Sequence, residues 1–210
     1  MPRACRIVPA TMIDTELYGG RRAYVAHLRA RAMYAIGSYR AVRCIAWRSV
    51  ERLVFVCRGN ICRSAYAGAR ARALGARAVS FGIEAADGAG ADKTAACNAL
   101  RRGIDLGDHR ATRLQTDLIC PGDLIVVFEP RHLLSVRPDR QSGVAGLTLL
   151  GLWADPLRPH IQDPYGRSDR YFQECFAAID LHTHELVNRL AAHAAPAAGG
   201  SAAAGASASS

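Results

Sequence analysis

The chain has 210 residues, half of them hydrophobic, and a formal net charge of +9 from 27 basic and 18 acidic side chains. This length suits one α/β domain with extensions, and the seven scattered cysteines argue against a secreted disulfide scaffold. No apolar run reaches the roughly 20 residues of a membrane-spanning helix. The N-terminus lacks the pattern of a secretory signal, so we expect a cytoplasmic protein.

Residues 1–50 form a basic extension that we expect to be partly helical. They hold nine arginines against only two acidic residues, Asp14 and Glu16. Their apolar positions recur at roughly helical spacing, at Val25, Leu28, Met33 and Ile36. Such a segment could touch a membrane surface or a partner protein, or could be a solvated extension. No nucleic-acid fold signature accompanies it, so we expect no nucleic-acid partner.

Residues 51–190 alternate strand-like and helix-like segments. Four short apolar runs are predicted strands, at 52–56, 77–81, 123–128 and 146–150. Predicted helices follow them, at 64–74, 92–102, 130–135 and 169–190. The alternation predicts an α/β fold, a three-layer sandwich around a central four-stranded parallel sheet. Residues 191–210 are mostly Ala, Gly and Ser, without bulky side chains to offset the ordering entropy, and are expected to be a disordered tail.

The chemistry of the domain is expected in the loop after the first strand, because ligands of parallel sheets bind beyond the carboxyl ends of the strands. This loop reads CRGNICRS from Cys57 to Ser64. Gly59 and Asn60 tolerate left-handed backbone angles, which would turn successive amides inward toward an anion. Arg63 adds a planar donor that can bind two oxygens at once. The loop therefore predicts a phosphate-binding site.

Cys57 is the predicted nucleophile of this site. Amides that hold a phosphate dianion also stabilise a thiolate, and a thiolate attacks phosphorus in line. Ser64 can donate a hydrogen bond to the sulfur and ease its departure from a phosphocysteine. The alternative is a buried structural cysteine before an ordinary turn. The Gly-Asn pair and the Arg-Ser end of the loop favour the phosphate site.

A carboxylic acid is also needed, first to protonate the leaving oxygen and then to activate water. Asp163 is followed by Pro164, which restricts the aspartate to extended backbone angles. Tyr165 could form a cleft wall and stack on an aromatic substrate ring. Asp155 also precedes a proline, but the neighbouring aromatic residue and glycine favour Asp163 over it. An ordinary turn is the alternative for this segment.

The segment VFVCRGNICRS at 54–64 resembles the signature of low-molecular-weight protein tyrosine phosphatases. The similarity covers about 52–190, and Ala65 stands where the family usually has proline. The resemblance implies a protein tyrosine phosphatase with Cys57, Arg63 and Asp163 as catalytic residues and with no metal or other cofactor. It also implies a phosphotyrosine protein as substrate, in bacteria often a tyrosine kinase.

The same resemblance implies supporting roles around the nucleophile. Cys62 could form a reversible disulfide with Cys57, or could simply be a small core side chain. His109 resembles a family histidine that braces the asparagine and serine of the loop. The residues expected to bind phosphate or support its loop are Arg58, Gly59, Asn60, Ile61, Cys62, Ser64 and His109.

Three other functions fit parts of this pattern. Arsenate reductases share the loop and fold, but they need further cysteines to relay a disulfide, and Cys97 and Cys120 lie far from Cys62 in sequence. Arginine-phosphate phosphatases typically carry threonine where Ile61 stands. A non-catalytic phosphate-binding module would be plausible if one of the three catalytic residues were missing, and all three are present.

Overall fold

The protein is described by a computed structural model that covers residues 14–136 and 143–193. Within these ranges it contains four strands, β1 (Arg52–Cys57), β2 (Ala78–Gly82), β3 (Asp123–Val127) and β4 (Gly146–Leu149). The helices there are α1 (Arg21–Ala35), α2 (Arg63–Ala73), α3 (Lys93–Leu100), α4 (His132–Ser135) and α5 (Asp169–His193). Each predicted strand agrees with the observed one to within one residue at either end, and the α/β class is confirmed.

The four strands form one parallel sheet in the order β2-β1-β3-β4. In the central strand β1, residues 53–56 are all inaccessible to solvent. Because successive side chains of a strand point to opposite faces, both faces of the sheet are covered, as in the predicted three-layer sandwich. All four strands point the same way, so the loops that follow them meet at one edge.

Helix α2 begins at this edge and is fixed to α5 through a pair of aromatic rings. The Tyr66 and Phe176 rings stack with centroids 4.0 Å apart and an interplanar angle of 1°. The Tyr66 hydroxyl also donates a hydrogen bond of 2.6 Å to the Asp180 carboxylate on α5. Both rings are buried. The helix that starts at the predicted phosphate loop is therefore held firmly against the longest helix of the fold.

The N-terminal extension contains the expected helix, α1, but the apolar side chains from which the helix was predicted do not face the protein. Val25, Leu28, Met33 and Ile36 are all exposed, Ile36 by 74%. The buried side of the helix consists of Ala23, His27 and Ala30. The helical spacing thus predicted the helix correctly. No helix in the described part of the chain is long and apolar enough to cross a membrane.

Helix α5 extends three residues beyond its predicted end at 190, into the segment that composition assigned to the tail. Ala191 and Ala192 have the highest helix propensity of any residue type. The His193 ring then stacks on Trp47 at a centroid distance of 5.5 Å, which favours continuation of the helix to that point. The rest of the predicted tail, 194–210, lies outside the described residues, as do residues 1–13 of the extension.

Loss of the aromatic stack between α2 and α5 should strongly destabilise the fold. Phe176→Ala removes a fully buried ring, and we expect the free energy of unfolding in urea to fall by about 3–5 kcal/mol. Leu134→Ala is the control, because Leu134 is 68% exposed, and its effect should stay within about 0.5 kcal/mol. Equal effects of the two substitutions would contradict this packing.

Candidate active site

The loop between β1 and α2 turns at Asn60, which has a φ of +54° and is the only residue other than glycine with a positive φ in the described ranges. The expectation that Gly59 shares this left-handed conformation was wrong, because its φ lies outside that region. One left-handed residue is enough to redirect the loop amides. The glycine that the loop requires is instead Gly82 at the end of β2. A Cβ there would lie 2.8 Å from both the Arg58 carbonyl oxygen and the Asn60 nitrogen.

Asn60 holds the loop through four hydrogen bonds. Its Nδ2 donates to the hydroxyl oxygens of Ser64 at 2.9 Å and Ser80 at 3.0 Å. Its Oδ1 accepts from the Thr112 backbone at 2.9 Å. Its carbonyl oxygen lies 2.6 Å from Nε2 of His109, which therefore carries the proton and donates. Asn60 is fully buried, so these bonds fix the loop to β2 and to the segment around 109–112.

His109 was expected to brace both the asparagine and the serine of the loop. The structure places it against the Asn60 carbonyl oxygen, whereas Ser64 is held by the Asn60 side chain. Burial lowers the pKa of His109, despite the opposing effect of its hydrogen bond to Asn60. The imidazole is therefore neutral at neutral pH and acts as a hydrogen-bond donor.

Cys57 ends β1 and lies in the same cluster. Its Sγ is 3.0 Å from Oγ of Ser64, and Oγ is also 3.2 Å from the Phe81 carbonyl oxygen. The Ser64 hydroxyl has one proton, and Asn60 already donates to its oxygen. When Cys57 is a thiolate, the hydroxyl can give its proton only to that sulfur or to the carbonyl. The geometry thus suits stabilisation of a thiolate by Ser64.

Arg63 is completely buried at the start of α2. Its Nη1 donates to Oε1 of Glu129 at 2.5 Å and to the Ile161 carbonyl oxygen at 2.9 Å. Its Nη2 lies 2.8 Å from Oδ2 of Asp163, an ion pair without hydrogen-bond alignment. Burial alone would lower the pKa of Arg63, but the charges of Asp163, Glu129 and Cys57 outweigh it and raise that pKa. The guanidinium therefore stays charged.

Two donor atoms of Arg63 remain available to a ligand. Neither Nε nor Nη2 has a hydrogen-bond partner among the described residues, although both atoms are buried. A planar guanidinium presents these two N–H groups side by side, in the arrangement that matches two oxygens of a phosphate. These two N–H groups of Arg63 can therefore bind two oxygens of a phosphate that enters the cleft.

Glu129 is the main residue of the site that sequence reasoning missed. It lies two residues after the end of β3, and its side chain is only 2% exposed. Burial alone would raise the pKa of its carboxyl group, but the Arg63 charge outweighs it and lowers that pKa. His132 lies 3.7 Å from Glu129, and burial lowers the pKa of this histidine to about 4, so it is neutral. An acidic residue at the carboxyl end of an otherwise apolar strand was the available signal.

These groups meet at a cleft of about 250 Å³. Its lining consists of Cys57, Arg58, Gly59, Ile61, Cys62, Glu84, Asp163 and Tyr165. Buried Arg63 lies directly behind it, against Asp163. The structure therefore brings the three predicted catalytic residues, together with Tyr165 and the loop, into one site. Glu84, which sequence reasoning did not assign to the site, forms its rim with Arg58 through an ion pair of 2.8 Å.

The structure also shows where Asp155 and Cys62 lie, two residues for which the sequence offered alternatives. Asp155 is exposed in a different groove, beside Leu157 and Arg189, so the preference for Asp163 agrees with the structure. Cys62 is buried next to the nucleophile, and burial strongly raises the pKa of its thiol. All six cysteines in the described ranges are free. No group of three or more metal-binding side chains occurs there either.

Comparison with known proteins assigns this fold and site to a family. Residues 52–195 match the family model for low molecular weight phosphotyrosine protein phosphatase. The chain is 36% identical over 145 residues to "Probable low molecular weight protein-tyrosine-phosphatase AmsI" of Erwinia amylovora, covering 67% of this chain and 98% of that protein. The chain therefore belongs to the low molecular weight protein-tyrosine-phosphatase family, and the resemblance in its sequence is confirmed.

Solved structures give the same assignment. The crystal structure of Erwinia amylovora AmsI matches with a TM-score of 0.61 and 32% identity, covering 66% of this chain and 92% of that one. The tyrosine phosphatase Wzb from Escherichia coli K30, in complex with sulphate, matches with a TM-score of 0.61 and 28% identity. The latter match covers 67% of this chain and 99% of Wzb. The predicted fold with its phosphate loop after β1 is thus shared with tyrosine phosphatases.

The pair of Glu129 with Arg63 should make the stability of the protein depend on pH. Glu129→Gln leaves a buried guanidinium with one carboxylate fewer, and we expect the free energy of unfolding at pH 7 to fall by about 3 kcal/mol. Folding lowers the pKa of Glu129 from 4.5. The pair therefore contributes its full stabilisation of the folded protein above about pH 5. This stabilisation declines as the pH falls below 4.5 towards the folded-state pKa of Glu129.

Urea unfolding of wild type and variant between pH 3 and pH 7 measures this difference. Glu51→Gln is the matched control, because Glu51 is exposed and forms no ion pair within the described ranges. Its substitution should change stability by less than about 0.5 kcal/mol at every pH. A Glu129→Gln variant as stable as this control at pH 7 would contradict the role of the pair.

Proposed function

We propose that this chain hydrolyses phosphotyrosine in proteins through a phosphocysteine formed on Cys57. The observation that carries the proposal is the convergence of Cys57, Arg63 and Asp163 on one cleft, with two donors of buried Arg63 left for a ligand. The relatives matched by sequence and the AmsI and Wzb structures are named tyrosine phosphatases, and the Wzb match was solved with sulphate, an anion shaped like phosphate.

In the first step, the Cys57 thiolate attacks phosphorus and a P–S bond forms while the bond from phosphorus to the tyrosine oxygen breaks. Arg63 and the loop amides bind the non-bridging oxygens and stabilise the charge of the transition state. Asp163, as the carboxylic acid, gives its proton to the departing tyrosine oxygen. Its side chain lies at the cleft and is 26% exposed, so solvent can reload the proton.

In the second step, water attacks phosphorus as the P–S bond breaks, and inorganic phosphate is released. The Asp163 carboxylate, now without its proton, accepts one from the attacking water. The departing sulfur regains negative charge, and the Ser64 hydroxyl at 3.0 Å can stabilise it. No metal takes part in either step, because Arg63 and the loop amides supply the positive field.

The shape of the cleft supports an aromatic phosphate as substrate. Ile61 provides an apolar surface beside the nucleophile, and Tyr165, 61% exposed, stands at the cleft as a wall for a substrate ring. Relatives named as tyrosine phosphatases occur in Erwinia, Escherichia and Ralstonia. We infer that the physiological substrate is a tyrosine-phosphorylated bacterial protein, for example a tyrosine kinase, and that the reaction takes place in the cytoplasm, where thiols stay reduced.

Hydrolysis of an aryl phosphate in EDTA and reductant tests the proposed function. Wild type should turn over without metal, and Cys57→Ser should abolish turnover. Asp163→Asn should lower kcat for phosphotyrosine by about 10²–10⁴-fold, because the asparagine amide cannot protonate the departing tyrosine oxygen. Its affinity for inorganic phosphate, measured by competitive inhibition, should change far less.

Arsenate is offered to the same wild-type preparation as the control for the alternative chemistry. Reduction of arsenate without aryl phosphate turnover would replace the proposal with a reductase function. Binding of phosphate without either reaction would indicate a non-catalytic module. Unchanged turnover of Asp163→Asn would remove that residue from the mechanism.

The choice between tyrosine and arginine phosphates should depend on Ile61. Ile61→Thr replaces an apolar surface of the cleft with a hydroxyl, so we expect kcat/KM for phosphotyrosine to fall about tenfold. The ratio of phosphotyrosine to phosphoarginine hydrolysis is the quantity to measure. Ile119→Thr, remote from the cleft lining, is the control and should leave this ratio unchanged. A ratio unaffected by Ile61→Thr would show that this side chain does not set specificity.

A further inference from the structure

Residues 14–20 lie outside the region matched by the family model, yet they contact the segment that carries Asp163. We call residues 14–20 the N-terminal brace. Nη2 of Arg158 donates to the Leu17 carbonyl oxygen at 2.5 Å, and its guanidinium lies 5.2 Å from the centre of the Tyr18 ring. The Asp14 carboxylate pairs with Arg170 at 2.5 Å. The brace is thus attached on both sides of the Asp-Pro-Tyr segment.

The brace meets the residues next to Asp163 at Gly19. Its φ is +86°, and a Cβ on this residue would lie 3.0 Å from the Tyr171 ring and 3.2 Å from Cγ of Gln162. The Tyr171 hydroxyl donates to the Gln162 carbonyl oxygen at 3.0 Å. Gln162 directly precedes Asp163 in the chain. The brace therefore packs against the Gln162 side chain and against the tyrosine that hydrogen-bonds the backbone before the proposed proton donor.

The backbone before Asp163 is also held by hydrogen bonds to Arg63 and Phe128 of the active site. Arg63 donates to the Ile161 carbonyl oxygen at 2.9 Å, and the Ile161 amide donates to the Phe128 carbonyl oxygen at 2.9 Å. Residues 161–162 are therefore fixed between the buried arginine and the pair formed by Tyr171 and the brace. Asp163 makes its ion pair with Arg63 from the end of this fixed segment.

Helix α1 supports the brace from behind. The Tyr18 ring lies 5.0 Å from Tyr24 and 4.7 Å from His27, measured between ring centroids. Burial, with smaller effects of Arg158 and other neighbouring charges, lowers the pKa of His27 to about 4. The imidazole is thus neutral and packs beside Arg158 without charge repulsion. Tyr18 connects α1 to the Asp163 segment through Arg158.

We propose that the N-terminal brace is a positioning element for proton transfer by Asp163. Gly19 acts through Tyr171 and Gln162, and it holds the aspartate at the distance from the cleft that donation requires. This inference rests on the proposed phosphatase function. It adds to the active site a part that residues 52–195, the family region, do not contain.

Substrates with different leaving groups separate positioning of the acid from a general structural effect. The leaving group of phosphotyrosine is a weakly acidic phenol, so its departure depends strongly on a proton donor. The leaving group of p-nitrophenyl phosphate is a much more acidic phenol, and its departure depends on the donor less. A misplaced Asp163 should therefore slow the first reaction more than the second, whereas partial unfolding slows both equally.

Gly19→Ala is the test variant, because its new methyl group must displace the Tyr171 ring or Gln162. We expect kcat for phosphotyrosine to fall about tenfold and kcat for p-nitrophenyl phosphate by less than about threefold, with KM values nearly unchanged. Gly75→Ala is the matched control. Its φ is +87°, within 1° of that of Gly19, but no heavy atom lies within 4 Å of its new Cβ. It should leave both kcat values at the wild-type level.

Arg158→Met is a second variant for the case that Gly19→Ala fails to fold. It removes the hydrogen bond to Leu17 and the contact with Tyr18 without adding bulk, and it should give the same selective loss. Equal losses on both substrates, or no loss beyond that of Gly75→Ala, would overturn the positioning role while leaving the phosphatase function intact. Wild type without activity on either substrate would instead overturn the proposed function, and with it this inference.

Discussion

Complete burial of the Arg63 guanidinium is the constraint on which the rest of the site depends. A buried charge without partners costs several kcal/mol, so the fold must deliver a carboxylate and carbonyl oxygens to one point. It does so from two distant segments, with Glu129 after β3 and with Ile161 and Asp163 before α5. The order β2-β1-β3-β4 places the end of β3 beside the end of β1, where this is possible. The arginine therefore fixes the relative positions of the loop, the third strand and the Asp163 segment.

The phosphate loop itself is shaped by hydrogen bonds more than by glycine. Asn60 alone binds Ser64, Ser80, Thr112 and His109, and these four partners come from three separate parts of the chain. This network explains how the loop can keep its geometry with Ala65 where the family usually has proline. Ala65 is buried within α2, so packing of the helix holds the first turn that a proline would otherwise favour.

The sequence was sufficient to predict the strands, because each buried parallel strand is a short run of apolar residues with clear ends. Local patterns also led to Cys57, Arg63 and Asp163, which the structure brings together, while their catalytic roles stay predictions. Glu129 escaped notice because its role depends on Arg63, 66 positions away in the chain, and on the strand order that joins them. The contact of Gly19 with Gln162 was missed for the same reason, because no local sequence pattern indicates which loop an N-terminal extension will contact.

The left-handed turn was assigned to the right pair of residues, but local propensity could not say which of the two adopts it. Glycine takes positive φ more readily than asparagine, yet Asn60 takes it here because its side chain and carbonyl oxygen then reach four partners. In α1, the spacing of apolar residues correctly indicated a helix. It could not indicate that alanines and a histidine, rather than Val25 and Ile36, would face the protein.

Attachment of the N-terminal brace to Arg158 has a consequence for synthesis on the ribosome. The hydrogen bond from Arg158 to Leu17 joins residues 141 positions apart. At about 5–20 residues per second, the docking site leaves the ribosome roughly 7 to 28 seconds after the brace. During that interval Tyr18 and the side of α1 that is buried in the folded protein have no mature domain to pack on. Docking of the brace therefore has to wait until Arg158 has been synthesised.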